Sequence, residues 1–242
     1  MSGHSKWNNI KNKKEKSDAQ KAKIFTKMGR ELAVAAKCGG ANPETNSRLK
    51  DAIAKARSYN MPNDNIARVI AKAAGEQNMD NFENITYEGY GPSGVAVIVE
   101  TLTDNRNRTA GDVRHYFDKF GGNLGTTGSV GWMFDQKGII VIENDGKTDE
   151  DTVMMDALDA GADDFSAEDD IFEISTEPDA FAGVRDALES KGYKFETCEI
   201  QMIPQNYITL TDEHDILMME KLIDSLEDND DVQNIYHNWE EA

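Results

Sequence analysis

The stretch that decides the fold is GIIVIENDGKTDEDTVMMDALDAGADDFSAEDDIFEISTEPDAFAGVRDALESKGYKFETCEIQMI, residues 138–203. It opens on a short apolar run, GIIVIE, of the kind a buried strand presents. A helical period follows in DEDTVMMDALDAGA, then two short strands in DDF and DIFEIST. A second helix, DAFAGVRDALESKG, and a last strand, FETCEIQMI, complete a βαββαβ order, the split βαβ or ferredoxin-like arrangement.

Working outward, the flanks spell a second such unit in two pieces. GVAVIVETLT reads as a buried strand, DNRNRTAGDVRHYFDKF as a helix packing Val113, Tyr116, Phe117 and Phe120, and GSVGWMF as a strand after a glycine-rich turn. At the far end NYITL, DEHDILMMEKLIDSL and VQNIYHNW give strand, helix and strand. One ferredoxin-like domain is therefore predicted to be inserted in another. Chain ends that lie close together make such an insertion tolerable.

Before these units the period is helical. DAQKAKIFTKMGRELAVAAKCGG places Phe25, Met28, Leu32 and Ala35 on one stripe, with Gly39 as the stop, and puts Lys16, Lys23, Lys27 and Arg30 in a sector roughly opposite. ANPETNSRLKDAIAKARSYN predicts a second helix with Pro43 at an early position and Leu49, Ile53 and Ala56 inward. MPNDNIARVIAKAAG predicts a third, with Pro62 near its start and Ile66, Val69, Ile70 and Ala73 inward. GEQNMDNFENITYE then reads as a linker. The predicted class is α+β, an N-terminal three-helix domain followed by two ferredoxin-like domains. The expected boundaries are 1–78 for the arm and helices, 79–136 with 204–242 for the discontinuous domain, and 137–203 for the acidic insertion.

Charge divides the chain the same way. Residues 1–78 hold 16 Lys plus Arg against 7 Asp plus Glu, a net +9, whereas 79–242 hold 10 against 38, a net −28. A basic head on an acidic body implies a head that meets polyanion, and a body that meets basic partners or repels bulk nucleic acid. The first 17 residues have no amphipathic period. They carry Lys6, Lys11, Lys13, Lys14 and Lys16, cations for phosphates, together with Trp7, a ring able to stack on a base. A purely solubilising tail has no need of an exposed indole.

Other patterns carry less. The second and third helices are joined closely enough for a helix-turn-helix, but the third offers only Arg68 and Lys72 as cations. FGGNLGTTGSVGW lacks the G-K-[ST] ending and strand-to-helix setting of a phosphate loop, and a helix cap plus turn accounts for Gly121, Gly122 and Gly125. Thr103 or Asp104 is a candidate cap for the helix that follows. Arg106 and Arg108 there are candidate secondary phosphate contacts, or partners for nearby carboxylates. Trp132 and Phe134 are expected to alternate on one strand face as core.

ENDGKTDED is out of register for a calcium loop, and His4, His115, His214 and His237 form no local metal spacing. Cys38 and Cys198 are far apart and read as reduced spectators. No metal, cofactor or catalytic set is expected, and the chain is read as a non-enzyme. With no apolar run of membrane-spanning length and no secretory h-region, a cytoplasmic protein is expected.

Several of these stretches resemble the YebC family, bacterial proteins with a mitochondrial branch that activates translation of cytochrome oxidase. The matching runs are GHSKWNNIK, KAKIFTKMGRELAVAAK, NPETNSRLKDAIAKARSYNMPNDNI, YEGYGPSGVAVIVETLTDNRNRT and GGNLGTTGSVGWMF. The resemblance implies the three-domain plan and a cytoplasmic regulator of gene expression. DNA-binding control of transcription is the family's traditional assignment, and ribosome-associated support of translation at proline-rich stretches the competing one.

The expected nucleic-acid contacts are His4, Lys6, Trp7, Lys11, Lys13, Lys14, Lys16, Lys23, Lys27 and Arg30, with Trp7 and His4 inserting or stacking. The expected partners are DNA, or ribosomal RNA and tRNA, and, for the acidic body, basic ribosomal proteins or the transcription machinery.

Overall fold

The computed structural model of the chain describes residues 18–75, 82–168 and 170–240. Its contacts divide it into two compact units, Met1–Glu76 with Gln136–Gln201 and Gln77–Asp135 with Met202–Ala242.

In the first unit, helix α1 spans Asp18–Gly39, α2 Ser47–Ser58 and α3 Asn63–Gly75. Pro43 lies in the turn ahead of α2, and Asn46 is the true cap, its side chain accepting the Leu49 N–H while its amide donates to the carbonyls of Ala35 and Gly40. That one side chain ties the end of α1 to the start of α2. Met28, Leu32 and Ala35 are buried as the stripe predicts, but Lys27, Ala33, Val34 and Ala36 are buried too. Residues 32–36 of α1 are enclosed all round, because the run LAVAA is apolar on every side.

The inserted sheet of the same unit is β4 (Phe134–Glu143), β5 (Asp164–Ala167), β6 (Ile171–Thr176) and β7 (Thr197–Pro204), with helices α5 (Glu150–Ala160) and α6 (Pro178–Ser190). Its order β5-β6-β4-β7 is the split βαβ layout. Ile140, Ile142, Phe172, Ile174, Val153, Phe181 and Leu188 fill the space between sheet and helices. Each such side chain contributes roughly 1.5–3 kcal/mol by leaving water.

The second unit corrects the element reading at three places. Residues 83–88, the end of the stretch expected as linker, belong to strand β1 (Glu83–Tyr90), paired antiparallel along its whole length with β2 (Ala96–Thr103). GSVGWMF is not a sheet strand: a 3-10 turn at Gly131–Met133 precedes β4. NYITL supplies only β8 (Ile208–Thr209), which pairs in parallel with β10 (Trp239–Glu240) apart from the main sheet.

That main sheet has the order β3-β1-β2-β9, with β3 at Asn123–Leu124 and β9 at Val232–His237. β2 is flanked on one side by β1, its hairpin partner, and on the other by β9, from the far end of the chain. Helices α4 (Arg106–Lys119) and α7 (Glu213–Asp228) cover one face through Val113, Phe117, Met219, Leu222 and Leu226. Gly89 sits where β1 meets β3, because a Cβ there would lie 2.7 Å from the Asn123 carbonyl oxygen. No helix among the described residues is long and apolar enough to cross a membrane.

Candidate nucleic-acid interface

His4, Lys6, Trp7, Lys11, Lys13, Lys14 and Lys16 lie outside the described residues. Of the other expected contacts, Lys23 is exposed on α1 and Arg30 half-buried. Lys27 is only 8% exposed and is no part of an open cationic face. It shares its side of α1 with Val34, two helical turns on, which is also buried.

Three cations of α2 are committed to the fold. Lys50 donates to Asp186 of α6 at 2.6 Å and Arg57 to Glu189 at 3.3 Å. Lys55, itself buried, lies 3.0 Å from Glu199 of β7 and 3.6 Å from Glu31 of α1. The guanidinium of Arg185, 1% exposed, is bonded to Asp51 and lies 2.8 Å from Asp186, with the Phe181 ring 5.8 Å from its centre. Burial pushes the Asp186 carboxyl up, but hydrogen bonds from Lys50 and Arg185 prevail and hold it below the usual aspartate range. The hydrogen bond to Asp186 in turn raises the Lys50 ammonium. Helix α2 is thereby fastened to the inserted sheet and its helix by opposite charge.

A cleft of about 290 Å³ opens beside this contact, lined by Lys21, Phe25, Tyr59, Glu196, Glu199 and Gln201 among others. Among the described residues its lining offers Glu196, Glu199 and Lys21, with Lys55 paired to Glu199, a poor balance for a phosphate.

In the second unit the two arginines of TDNRNRT part ways. Arg108 donates to Asp231 at 2.7 Å and to Asp104 at 2.8 Å, which raises its already high pKa. Asp231, buried, also accepts from Thr109 at 2.8 Å and Thr103 at 3.1 Å. Burial pushes its carboxyl up, and these donors, Arg108 foremost, outweigh that and lower it. Arg108 is thus a clasp between the start of α4 and the start of β9. Arg106 is exposed. Neither Thr103 nor Asp104 caps α4; Asn105 does, accepting the Arg108 N–H.

The glycine-rich loop before β4 is built around Glu88 of β1, 7% exposed. Its carboxylate accepts the backbone N–H groups of Gly128 at 2.8 Å, Val130 at 2.8 Å and Gly131 at 2.6 Å. Burial raises this carboxyl, yet the three donors more than offset it and leave the pKa below the ordinary glutamate value. Phe134 is core as expected, but Trp132 is 69% exposed. Its indole N–H bonds the Ser129 carbonyl of its own loop at 3.1 Å. Strand alternation misplaced it because this segment is a turn.

Among the described residues, Asp212, His214 and Asp215 are close enough to share a cation. Asp212, however, is the α7 cap and accepts the N–H groups of His214 and Asp215 at 2.9 and 3.1 Å. Cys198 is buried, and desolvation pushes its thiol well up, which disfavours the nucleophilic thiolate.

Comparison with known proteins fixes the lineage. The chain is 64% identical over 239 residues, 99% of each sequence, to a "probable transcriptional regulatory protein" of Acetivibrio thermocellus. It is 61% identical over 240 residues, again 99% of each, to a protein of the same name from Finegoldia magna. The crystal structure of a conserved hypothetical protein from Aquifex aeolicus superposes with a TM-score of 0.81 at 42% identity, covering 94% of this chain and 93% of that one. The TACO1/YebC N-terminal domain matches residues 5–76, and the TACO1/YebC second and third domain matches residues 82–239. The two matches follow each other in order along nearly the whole chain, which belongs to the TACO1/YebC family.

Proposed function

We propose that the chain is a non-enzymatic, nucleic-acid-binding regulator of gene expression, with DNA and the control of transcription as the first reading. In this reading the head, residues 1–78, makes the contact, and the ferredoxin-like body positions it and meets protein partners. The observation that carries the proposal is the partition of the head's cations. Lys50, Lys55 and Arg57 are engaged by carboxylates within the fold. The arm before α1 concentrates five lysines, one glutamate and Trp7 in 17 residues, a composition suited to phosphates and bases. The names of the relatives accord with regulation.

A second reading, a ribosome-associated translation factor touching ribosomal or transfer RNA, is favoured by the −28 carried by residues 79–242. That charge opposes a long duplex lying across the body but suits a site walled by basic ribosomal proteins. The test is a competition near physiological salt, with labelled protein offered ribosomes and an excess of promoter duplex. Transfer to the duplex, with promoter fragments preferred over random ones, is the expected result for transcription control. Retention on ribosomes despite the DNA moves the assignment to translation, and binding to neither overturns both.

A further inference from the structure

The loop that presents Trp132 is over-determined by its hydrogen bonds. Glu88 holds three of its N–H groups, Tyr90 donates its hydroxyl to the Ser129 carbonyl at 3.1 Å, and the Gly125 N–H bonds the Glu88 carbonyl at 2.8 Å. Val130 and Phe134 anchor the loop's far side in the core beneath β2, with Met202 packed against them. The indole, 69% exposed, has its one polar atom already bonded to Ser129. What it offers outward is a flat ring held at a fixed angle with no hydrogen bond left to make, so the surface suits stacking.

A second exposed ring stands on a segment bonded to the same place. The Gln205 N–H donates to the Met133 carbonyl at 2.9 Å and its side-chain amide to Asp135 at 3.0 Å, and Tyr207, 47% exposed, follows two residues on. Both segments lack charge altogether: residues 120–134 and 202–211 contain no Asp, Glu, Lys or Arg, in a body with 38 acidic residues. The Glu88 carboxylate under the loop is buried against three N–H dipoles. Exposed Asp135, bonded to the Gln205 amide, borders the first segment, so the stretch that presents the ring repels a phosphate chain less than its charged flanks do.

From this geometry we infer that Trp132, with Tyr207 beside its loop, is a stacking platform for unpaired bases of a single-stranded nucleic acid. The inference rests on the nucleic-acid reading above and adds to it a second contact, remote in sequence from the basic arm. Stacking on a π-face tolerates any base, so the platform holds a strand and does not read it.

The test is fluorescence anisotropy of labelled oligo(U) and oligo(dT) of ~12 nucleotides, a length within the span of known single-strand sites, and of a duplex, on the full-length protein and its Trp132→Ala and Trp132→Phe variants. Trp132→Ala should melt where the parent does, because the side chain bonds only within its own loop. It should bind the single strands on the order of tenfold more weakly, with duplex affinity unchanged, and Trp132→Phe should restore most of the loss. Single strands bound equally well by Trp132→Ala, or duplex bound and single strands not, overturn the platform and leave the nucleic-acid reading standing. Failure to bind any of the three at low salt overturns both. A Trp132→Ala variant that loses only self-association in sedimentation assigns the ring to a protein contact and overturns the platform.

Discussion

Helix α2 and the arm before α1 are about equally rich in cations by sequence, yet they stand in different chemical situations. Lys50, Lys55 and Arg57 of α2 meet Asp186, Glu189, Glu31 and Glu199 across a packed contact, and Arg185 answers from the other side to Asp51. The arm has a single acidic residue, Glu15, among its five lysines. A segment's net charge is therefore not the charge it offers a ligand. The +9 of the head includes a docking device whose counter-ions the protein itself supplies.

The largest effect is expected at Arg185. Replacing it by Ala leaves Asp51 and Asp186 without their shared partner and should cost about 3 kcal/mol, the lower end for a buried pair because both carboxylates are partly solvated. A thermal melt checks this; an unchanged midpoint would mean that Arg185 adds nothing to the hold that Lys50, Lys55 and Arg57 already give α2. Next comes Glu88→Gln, which exchanges a charged acceptor of three N–H bonds for an amide with one acceptor oxygen, at a cost of roughly 2 kcal/mol. Its separate signature is mobility of residues 125–133, read by amide hydrogen exchange.

Acid should act on both units together. The folded-state pKa values of Glu88, Asp186 and Asp231 lie below their ordinary values of 4.5, 3.8 and 3.8. In that range the unfolded chain binds more protons than the folded one, so stability is full above the ordinary values and is lost as pH falls through the folded ones. Denaturant midpoints from pH 6 downward should fall only below about pH 4.5, and a midpoint that rises on acidification would contradict the sign. The smallest effect is expected from Lys50→Ala, a half-exposed pair whose removal should cost under about 1 kcal/mol, measured by the same melts.

How far all this is legible in the sequence differs by region. The inserted unit is readable because its strands are apolar runs separated by strong caps and turns. Strand β1 is not, because ENITYEGY carries Glu88 and Gly89 at buried positions, so neither face shows a clean apolar alternation. The environment that makes Glu88 acceptable is supplied by N–H groups forty residues away, which no local window contains. Trp132 is hidden for a related reason: the alternation in GSVGWMF belongs to a turn whose shape is set by that distant carboxylate.

Lys27 carries a usable signal: five apolar residues in a row at 32–36 announce a helix enclosed on all sides. The commitment of α2's cations carries none. Apart from Glu31, its partners lie more than a hundred residues further along the chain, and only the fold brings them within bonding distance.

The most direct test of the division is the slope of log affinity against log salt for two variants, Lys11, Lys13, Lys14 and Lys16→Ala in the arm, and Lys50 and Arg57→Ala in α2. The arm variant should show a slope flatter by about 3, near 0.7–0.9 for each phosphate it no longer neutralises, and the α2 variant an unchanged slope. Equal slopes in the parent and the arm variant, or a flattening produced by the α2 variant, would contradict it.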